Sequence, residues 1–209
     1  MSDETVGVKI GRTSKQPHAR TWNLPAGKSC GGMYDVDTGE VCDACASCYA
    51  KRGHYNWPAV VSAYEYNMED WKREGWVDDM VMGIKGAGYF RWFSSGDCKY
   101  TQLADKMYQV MERTPDTMHN LPTKGYINKD IDRWLDKMQA LPNVVVRRSS
   151  QKINGIYDHG IHRAIQVPHA KHPVDDQTMV CPSFTTNHKC GDCRACWDDT
   201  VQVVAFITY

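Results

Sequence analysis

The sequence predicts an α/β protein: a parallel sheet of about five or six strands with helices packed on it, and cysteine-rich metal-binding segments. Two observations lead to this prediction. From Tyr89 onward, short runs of β-branched and aromatic residues alternate with longer amphipathic stretches, which is the pattern of βαβ units. Eight of the nine cysteines fall into two groups of four with the same internal spacing. Because the strands are too few for a closed eight-stranded barrel, we expect a partial (βα) barrel.

The strand candidates are short segments that lie between turn-forming residues. In chain order they are residues 22–24, 88–95, 117–122, 143–150 and 201–209. The fourth contains three consecutive valines from Val144, a continuous apolar run that predicts a buried strand. Since parallel strands need crossovers of a dozen residues or more, the stretches between the candidates are expected to hold helices.

Three amphipathic stretches predict those helices, at residues 57–74, from 101 to about 114, and from 128 to about 141. Pro58 falls in the first turn of the first helix, where proline is tolerated. The second and third are expected to stop before Pro115 and Pro142, because the residue before a proline disfavours helical geometry. Asn128 is placed to cap the third helix with its side chain.

Composition and charge limit the class of protein and its partners. A chain of 209 residues with 42% hydrophobic residues predicts one globular domain over residues 20–209, after a flexible N-terminal segment at residues 1–19. The 25 basic and 25 acidic residues cancel, so no general affinity for nucleic acid or anionic membrane is expected without a local patch. The chain has no secretory leader pattern and no apolar run long enough for a membrane span, which predicts a cytoplasmic location.

The cysteines carry the strongest chemical signal. The first group is Cys30, Cys42, Cys45 and Cys48, and the second is Cys181, Cys190, Cys193 and Cys196. Each group contains C-x2-C-x2-C, whose two-residue gaps let the backbone turn so that neighbouring sulfurs converge on one centre. Bacterial ferredoxins bind a cubane cluster with the same run and complete it with a remote cysteine. The sequence therefore predicts one or two iron–sulfur clusters per chain, of the 4Fe–4S type.

Several alternatives to this assignment remain open. Zinc is the rival cofactor, because four thiolates also form a closed tetrahedral site, although zinc ribbons usually take two separated C-x2-C pairs. The remote cysteines could also be exchanged, with Cys181 completing the first triplet and Cys30 the second. Cys98 is left over; it is expected at the carboxyl edge of the sheet, either near a site or as a buried structural thiol.

Other polar residues are expected at the carboxyl ends of strands, where α/β proteins bind ligands. Ser95, Gly96 and Asp97 are the candidate cofactor-binding residues, and residues 123–124 and 147–149 end later strands. Turn residues and solvated charges are the alternative interpretation. His159, His162, His169 and His172 are assigned to a polar loop in preference to a metal site. No catalytic residue is identified.

Five ordered motifs carry a resemblance to a known family. They are TWNLPAGKSC at residues 21–30, C-x2-C-Y-A at 45–50, FRWFSSGD at 90–97, LPTK at 121–124 and CGDCRACW at 190–197. Together they resemble the bacteriophage gene product 88 family, from about residue 20 to the end of the sequence. This resemblance implies a phage protein but brings no established activity. More distantly, the first cysteine motif and the Ser-Gly-Asp turn are similar to radical S-adenosylmethionine-like partial barrels, but the C-x3-C-x2-C motif of that chemistry is absent.

The predicted function is that of a phage-encoded iron–sulfur protein with a redox or electron-transfer role in the host cytoplasm, working with a redox partner protein. If every cluster has four thiolates, no iron is open to a substrate. One alternative is a radical S-adenosylmethionine-like or other redox enzyme acting on a nucleotide or nucleic acid. Another is a binding module stabilised by zinc, because metal binding can supply much of the free energy of folding. Whether the protein is an enzyme is left open.

Overall fold

The computed structural model describes residues 7–154 and 163–208, and these form one mixed α/β unit around an eight-stranded sheet. The strands are β1 (Ile10–Gly11), β2 (Ala19–Trp22), β3 (Tyr89–Trp92), β4 (Met118–Thr123), β5 (Val144–Ser149), β6 (Arg163–Val167), β7 (Thr178–Val180) and β8 (Val203–Ile207). Their spatial order is β1-β2-β3-β4-β5-β6-β8-β7. Every neighbouring pair is parallel except β1 with β2.

Five α-helices connect the first strands. They are α1 (Asp43–Ala46), α2 (Pro58–Asp70), α3 (Trp76–Ile84), α4 (Thr101–Glu112) and α5 (Lys129–Gln139). The predicted cap of α5 is confirmed, because Asn128 Oδ1 accepts from the backbone nitrogens of Asp130 at 2.9 Å and Ile131 at 3.4 Å. The single helix predicted at residues 57–74 is wrong in extent. It ends at Asp70, and Gly75 with φ +78° separates it from α3.

One face of the sheet carries the main hydrophobic core. The strand residues on this face are Trp22, Phe90, Trp92, Leu121, Val144 and Val146. They pack against the apolar faces of α3, α4 and α5, whose buried residues belong to the same cluster. We call this the helix face. Because β2 to β6 follow one another in chain order, right-handed crossovers place their connecting helices on this one side.

The opposite face carries a different set of side chains, since successive residues of a strand alternate between faces. Tyr89 and Arg91 of β3 lie on this face, and the register pairs Arg91 with Asn120 of β4. Arg147 of β5 lies on the same face, because it is two residues beyond Val145, which pairs with Asn120. This polar face is the one that the cysteine-rich segment between β7 and β8 covers.

His119 is a buried polar residue on the helix face. Trp92 Nε1 donates to His119 Nδ1 at 3.2 Å, so the ring proton sits on Nε2, which lies 2.8 Å from Thr114 Oγ1. Thr114 donates its own proton to Val110 O at 2.7 Å and is therefore free to accept. Burial lowers the pKa of His119 to about 3, so it is a neutral structural residue near pH 7.

The predicted α/β class is confirmed, and each of the five predicted strands overlaps an observed one. Three strands, β1, β6 and β7, were not predicted. The boundary predicted at residue 20 does not mark a structural break, because β1 pairs with β2 and Gln16 is buried. His159 and His162 lie outside the described residues, as does the start of the predicted N-terminal segment. No helix in the described part of the chain is long and apolar enough to cross a membrane.

Candidate metal centres

The first cysteine segment, residues 30–48, contains a tight helical turn. Backbone nitrogens of Cys45 and Ala46 donate to Cys42 O at 2.9 Å, and that of Cys48 donates to Cys45 O at 3.4 Å. These bonds fold the backbone of the triplet into one compact turn, with Cys42 before α1, Cys45 within it and Cys48 after it. Within the triplet the thiols of Cys42 and Cys45 affect each other's ionisation. Their mutual interaction lowers the pKa of Cys42 to about 6 and raises the pKa of Cys45.

Cys30 lies within electrostatic range of this triplet. Burial raises the pKa of Cys30 to about 12, and the charges that Asp97, Cys45 and Cys48 can carry contribute to the increase. The backbone nitrogen of Gly27 donates to Cys30 Sγ at 3.4 Å, and this hydrogen bond acts in the opposite direction, lowering the pKa of Cys30. The four cysteines of the first group are therefore neighbours in the folded chain.

The first cysteine segment lies against the carboxyl ends of the central strands. After β5, Gln151 Nε2 donates to Gly32 O at 3.1 Å and to Tyr34 O at 2.8 Å, while Ala44 N donates to Gln151 O at 3.0 Å. After β4, the backbone of Lys124 is so close to Gly32 that a Cβ there would overlap the Lys124 carbonyl. Lys124 also supplies positive charge that lowers the pKa of both Cys42 and Cys45, although other causes dominate there.

The turn predicted to bind a cofactor, Ser95 to Asp97, braces these strand ends. Ser95 O accepts from Leu24 N at 3.0 Å, and Gly96 has φ +80° with no room for a Cβ beside Leu24. The Asp97 carboxylate accepts from Thr123 Oγ1 at 2.5 Å and from Lys124 N at 2.7 Å. Ser95 and Asp97 are buried. These contacts explain the turn structurally, and its contact with a cofactor stays a prediction.

Cys98 belongs to neither group. Its side chain is fully buried, and its thiol donates to Tyr100 O at 3.6 Å. Burial raises the pKa of the Cys98 thiol well above its ordinary value, and the charge of Asp97 adds to this. Of the two interpretations of this residue, the geometry favours a structural thiol.

The second cysteine segment, residues 181–196, brings its four cysteines around one pocket. The pocket is lined by Cys181, Cys190, Cys193 and Cys196, together with Met179, Pro182, Ala195, Trp197 and Val204. The backbone nitrogen of Cys193 donates to Cys190 O at 3.0 Å, which forms the turn inside the triplet. Cys181 thus lies near the triplet that follows it in sequence, as in the assignment in which each triplet is completed by the remote cysteine of its own group.

Arg147 holds this segment on the sheet. Its side chain is 1% exposed and donates to four backbone carbonyls, those of Ala195 (2.6 Å), Cys196 (3.2 Å), Asp198 (3.0 Å) and Val201 (3.0 Å). Asn120 Nδ2 donates to Cys196 O at 2.7 Å, and Trp197 Nε1 donates to Phe90 O at 3.0 Å. From its position at the end of a strand, the sequence predicts that Arg147 is either a ligand-binding residue or a solvated charge. The structure instead uses its guanidinium to fix the backbone around Cys196.

Arg91 lies between the two cysteine groups. Its guanidinium donates to Gln16 Oε1 at 3.1 Å and approaches Tyr49 Oη at 3.5 Å. Tyr49 directly follows Cys48 of the first group, whereas Gln16 directly follows Lys15, whose carbonyl accepts from the backbone nitrogen of Cys190 of the second group at 2.9 Å. Although burial opposes it, the pKa of Arg91 is raised by the negative charge that Tyr49, Cys196 and Cys190 can carry. Within the described residues no carboxylate forms an ion pair with Arg91.

The structure gathers the cysteines of each group without confirming the predicted metal sites. In residues 7–154 and 163–208, no three His, Cys, Asp or Glu side chains stand in a geometry that would hold a metal ion. This includes His169 and His172, whose rings lie 5.8 Å apart. The donor set fits the predicted cofactors chemically, because all nine thiols are free and thiolates bind both iron–sulfur clusters and zinc. Sequence reasoning did not find Arg91 or Gln16, which carry no local motif.

Comparison with known proteins gives one match. A family model described as Gene product 88 matches residues 4–199, a range that spans both cysteine segments. No curated protein and no solved structure matches the chain. The more distant resemblance to radical S-adenosylmethionine-like barrels therefore gains no support.

Proposed function

This chain belongs to the phage gene product 88 family, and from the chemistry of its own residues we propose that it is an iron–sulfur protein with a redox or electron-transfer role. The observation that carries the proposal is the pocket lined by all four cysteines of the second group. Cysteines up to fifteen residues apart (181 to 196) line this pocket, and none of them forms a disulfide bond. Free cysteines that serve only as small buried apolar residues have no reason to share one cavity.

In this proposal, the cysteines would bind the clusters and neighbouring residues would supply charge and limit access of water. Cys181, Cys190, Cys193 and Cys196 hold one cluster, and Cys30, Cys42, Cys45 and Cys48 hold the other. A 4Fe–4S cluster bound by four thiolates supplies one-electron transfer and leaves no iron open to a substrate. Arg91 provides positive charge beside the second group and Lys124 beside the first, which favours the anionic thiolates. Trp197 and Val204 limit the access of water to the second pocket.

One observation favours a second candidate, a redox enzyme that acts on a nucleotide or nucleic acid. The first cysteine segment covers the carboxyl ends of β4 and β5, where α/β folds bind their substrates. The chain order of β2 to β6, with helices on one side, also suits the partial (βα) barrel that the sequence predicts. In this candidate Cys30 would not be a ligand, so one iron would stay open. The site of action in both cases would be the cytoplasm of the infected cell.

Metal analysis of protein purified under anaerobic conditions tests the main proposal. We expect about four or eight iron atoms per chain with equal acid-labile sulfide, depending on whether one or both groups are loaded. Colourless protein that contains stoichiometric zinc and no sulfide would contradict the proposal and establish a zinc-stabilised fold.

Two cysteine variants sharpen this test. Cys196→Ala should remove the cluster of the second group, because it deletes a thiol that lines the pocket. Cys98→Ala is the matched control and should keep its full iron content, because Cys98 lies in neither group. Equal iron loss in both variants would mean that the pocket is not the site.

Spectroscopy separates the two candidates. If an iron is open, adding S-adenosylmethionine or nucleotides should change the electron paramagnetic resonance spectrum of the reduced protein. An unchanged spectrum would support the electron-transfer role and count against the enzyme.

A further inference from the structure

A surface loop directly after the first cysteine group has a defined shape. Residues 49–57, which we call the aromatic loop, contain two single-turn 3₁₀ helices, Tyr49–Lys51 and Gly53–Asn56. Gly53 joins them with φ +56°, a conformation that favours glycine. Asn56 Nδ2 donates to Lys51 O at 3.0 Å and closes the loop. The side chains of the loop are therefore presented from a fixed backbone.

The loop exposes aromatic rings that proteins normally bury. Trp57 is 64% exposed and Tyr49 is 45% exposed. The rings form a connected series, because the centroids of Tyr49 and Tyr55 lie 5.6 Å apart, those of His54 and Tyr55 4.1 Å, and those of His54 and Trp57 6.3 Å. Exposed aromatic surface of this kind marks a binding site more often than a passive surface.

Two positively charged residues lie between Tyr49 and the other rings of the loop. Lys51 and Arg52 are exposed, and the loop contains no acidic residue. Lys51 Nζ donates to Cys45 O at 3.1 Å, but in the described part of the chain neither cation forms an ion pair with a carboxylate. The loop therefore has a net positive charge, although the charges of the whole chain cancel.

We propose that the aromatic loop binds single-stranded nucleic acid. Bases stack on Trp57, His54 and Tyr49, while Lys51 and Arg52 contact the phosphates. Stacking tolerates any sequence, because every base has a π face, and a single strand leaves these faces accessible whereas a duplex hides them. Two adjacent cations that have rings on both sides within one short loop can contact the phosphates while neighbouring bases stack on the rings. This proposal goes beyond the electron-transfer role and needs no bound metal.

The number of cations sets the expected strength and salt dependence. Two phosphate contacts predict weak binding, with a slope of about −1.4 for the logarithm of the association constant against the logarithm of salt concentration. Loss of one stacked base costs about 1 kcal/mol or more, so Trp57→Ala should weaken binding about fivefold or more. Trp57→Phe keeps an aromatic face and should retain most of the affinity.

Fluorescence anisotropy with labelled oligonucleotides of about 20 nucleotides tests the proposal. The purified full chain should bind oligo-dT and a mixed-sequence single strand, and bind the matching duplex more weakly. Trp57→Ala and Arg52→Gln should both reduce the affinity, and Arg52→Gln should also reduce the salt slope by about 0.7. Met82→Ala and Arg133→Gln change an exposed apolar and an exposed basic residue elsewhere, and they should bind as the parent does.

Three outcomes would overturn the proposal. Equal binding of single strand and duplex, with no effect of Trp57→Ala, would reduce the interaction to unspecific electrostatics. No binding of oligonucleotides, combined with binding of an acidic flavodoxin that depends on Trp57, would make the loop a protein-docking surface. Equal loss of affinity in the variants and in both controls would place the site elsewhere. Iron content and circular dichroism of each variant show that the fold is intact.

Discussion

Among single residues, Arg91 affects the charge balance of the second candidate centre. It is a half-buried cation without a carboxylate partner in the described residues, and it faces Cys190 and Cys196. Two unit charges about 10 Å apart at an effective dielectric constant of about 20 interact by roughly 1.7 kcal/mol. Arg91→Gln should therefore lower the reduction potential of the second cluster by some tens of millivolts, because the reduced, more negative cluster loses a compensating charge.

Redox titration followed by electron paramagnetic resonance measures this change. Arg133→Gln, which removes an exposed charge on α5, serves as the control and should leave the potential unchanged. A potential that is the same in Arg91→Gln and the parent, at full iron content, would show that Arg91 does not act on the cluster. If iron is absent from both, the proposed function itself fails.

His119 makes the stability of the protein dependent on pH. Its pKa is about 3 in the folded chain because of burial, against an ordinary value of about 6.5 when the chain is unfolded. Above pH 6.5 both states are neutral and its contribution is complete. As the pH falls below 6.5, only the unfolded chain takes up the proton, so stability should decrease by about 1.4 kcal/mol per pH unit.

Urea denaturation at pH 7, 6 and 5 measures this dependence, with His119→Gln for comparison. The variant is expected to be less stable at pH 7, since it loses the contacts with Trp92 and Thr114. Its stability should also fall less steeply with pH than that of the parent. Parallel curves for the two proteins would refute the assignment.

The predictability of the site also differs from residue to residue. The two cysteine groups could be predicted because each contains a local C-x2-C-x2-C motif. Arg147 could not be assigned its role, because the carbonyls that it binds lie about fifty residues further along the sequence. For the same reason Arg91 was missed: its partners Gln16 and Tyr49 are 75 and 42 residues away.

At the scale of elements, the contact between the first cysteine segment and the end of β4 depends on Gly32. A Cβ at this position would overlap the carbonyl of Lys124, which is backbone and cannot move aside without displacing β4. Gly32→Ala should therefore destabilise the protein by about 1–3 kcal/mol and reduce the iron content of the first group.

Gly88→Ala is the matched control for this variant, because a Cβ at Gly88 meets no atom within 4 Å and its φ is not positive. Thermal unfolding and iron analysis of both variants give the comparison. If Gly32→Ala is as stable and as rich in iron as Gly88→Ala, the segment does not depend on this close approach.

The elements that sequence patterns predicted are those with enough length to show a period. Helices α4 and α5 have clear apolar faces, and β5 has a continuous apolar run. Strands β1 and β7 have two and three residues, too few for any alternation to be visible. They exist because β2 and β8 offer unpaired edges, which is a tertiary effect.

For the whole molecule, the hydrophobic core is unevenly distributed along the chain. The main cluster extends from Trp22 to Val146 and includes α3, α4 and α5. Strands β6 and β8 contribute to two small clusters, one of which contains Cys181 and packs against Cys193. The second half of the sheet therefore relies more heavily on its cysteine segment for stability.

If the proposed clusters are present, their removal should loosen the two halves of the sheet to different extents. After iron is removed with an oxidant and a chelator, we expect hydrogen exchange to accelerate in residues 178–208 and 30–48. The amides of α4, α5 and β4 should keep most of their protection, because their core contains none of the eight predicted ligands. Uniform loss of protection over the chain would contradict this division.

The position of β8 between β6 and β7 has a consequence for biosynthesis. While the nascent chain leaves the ribosome, β7 has no neighbour to pair with until Val203–Ile207 has been translated. Val204 of this strand also forms one wall of the pocket that holds the second cysteine group. If the second cysteine group binds the proposed cluster, that cluster can be completed only after β8 has been translated, when the strands and helices of the helix face have already left the ribosome.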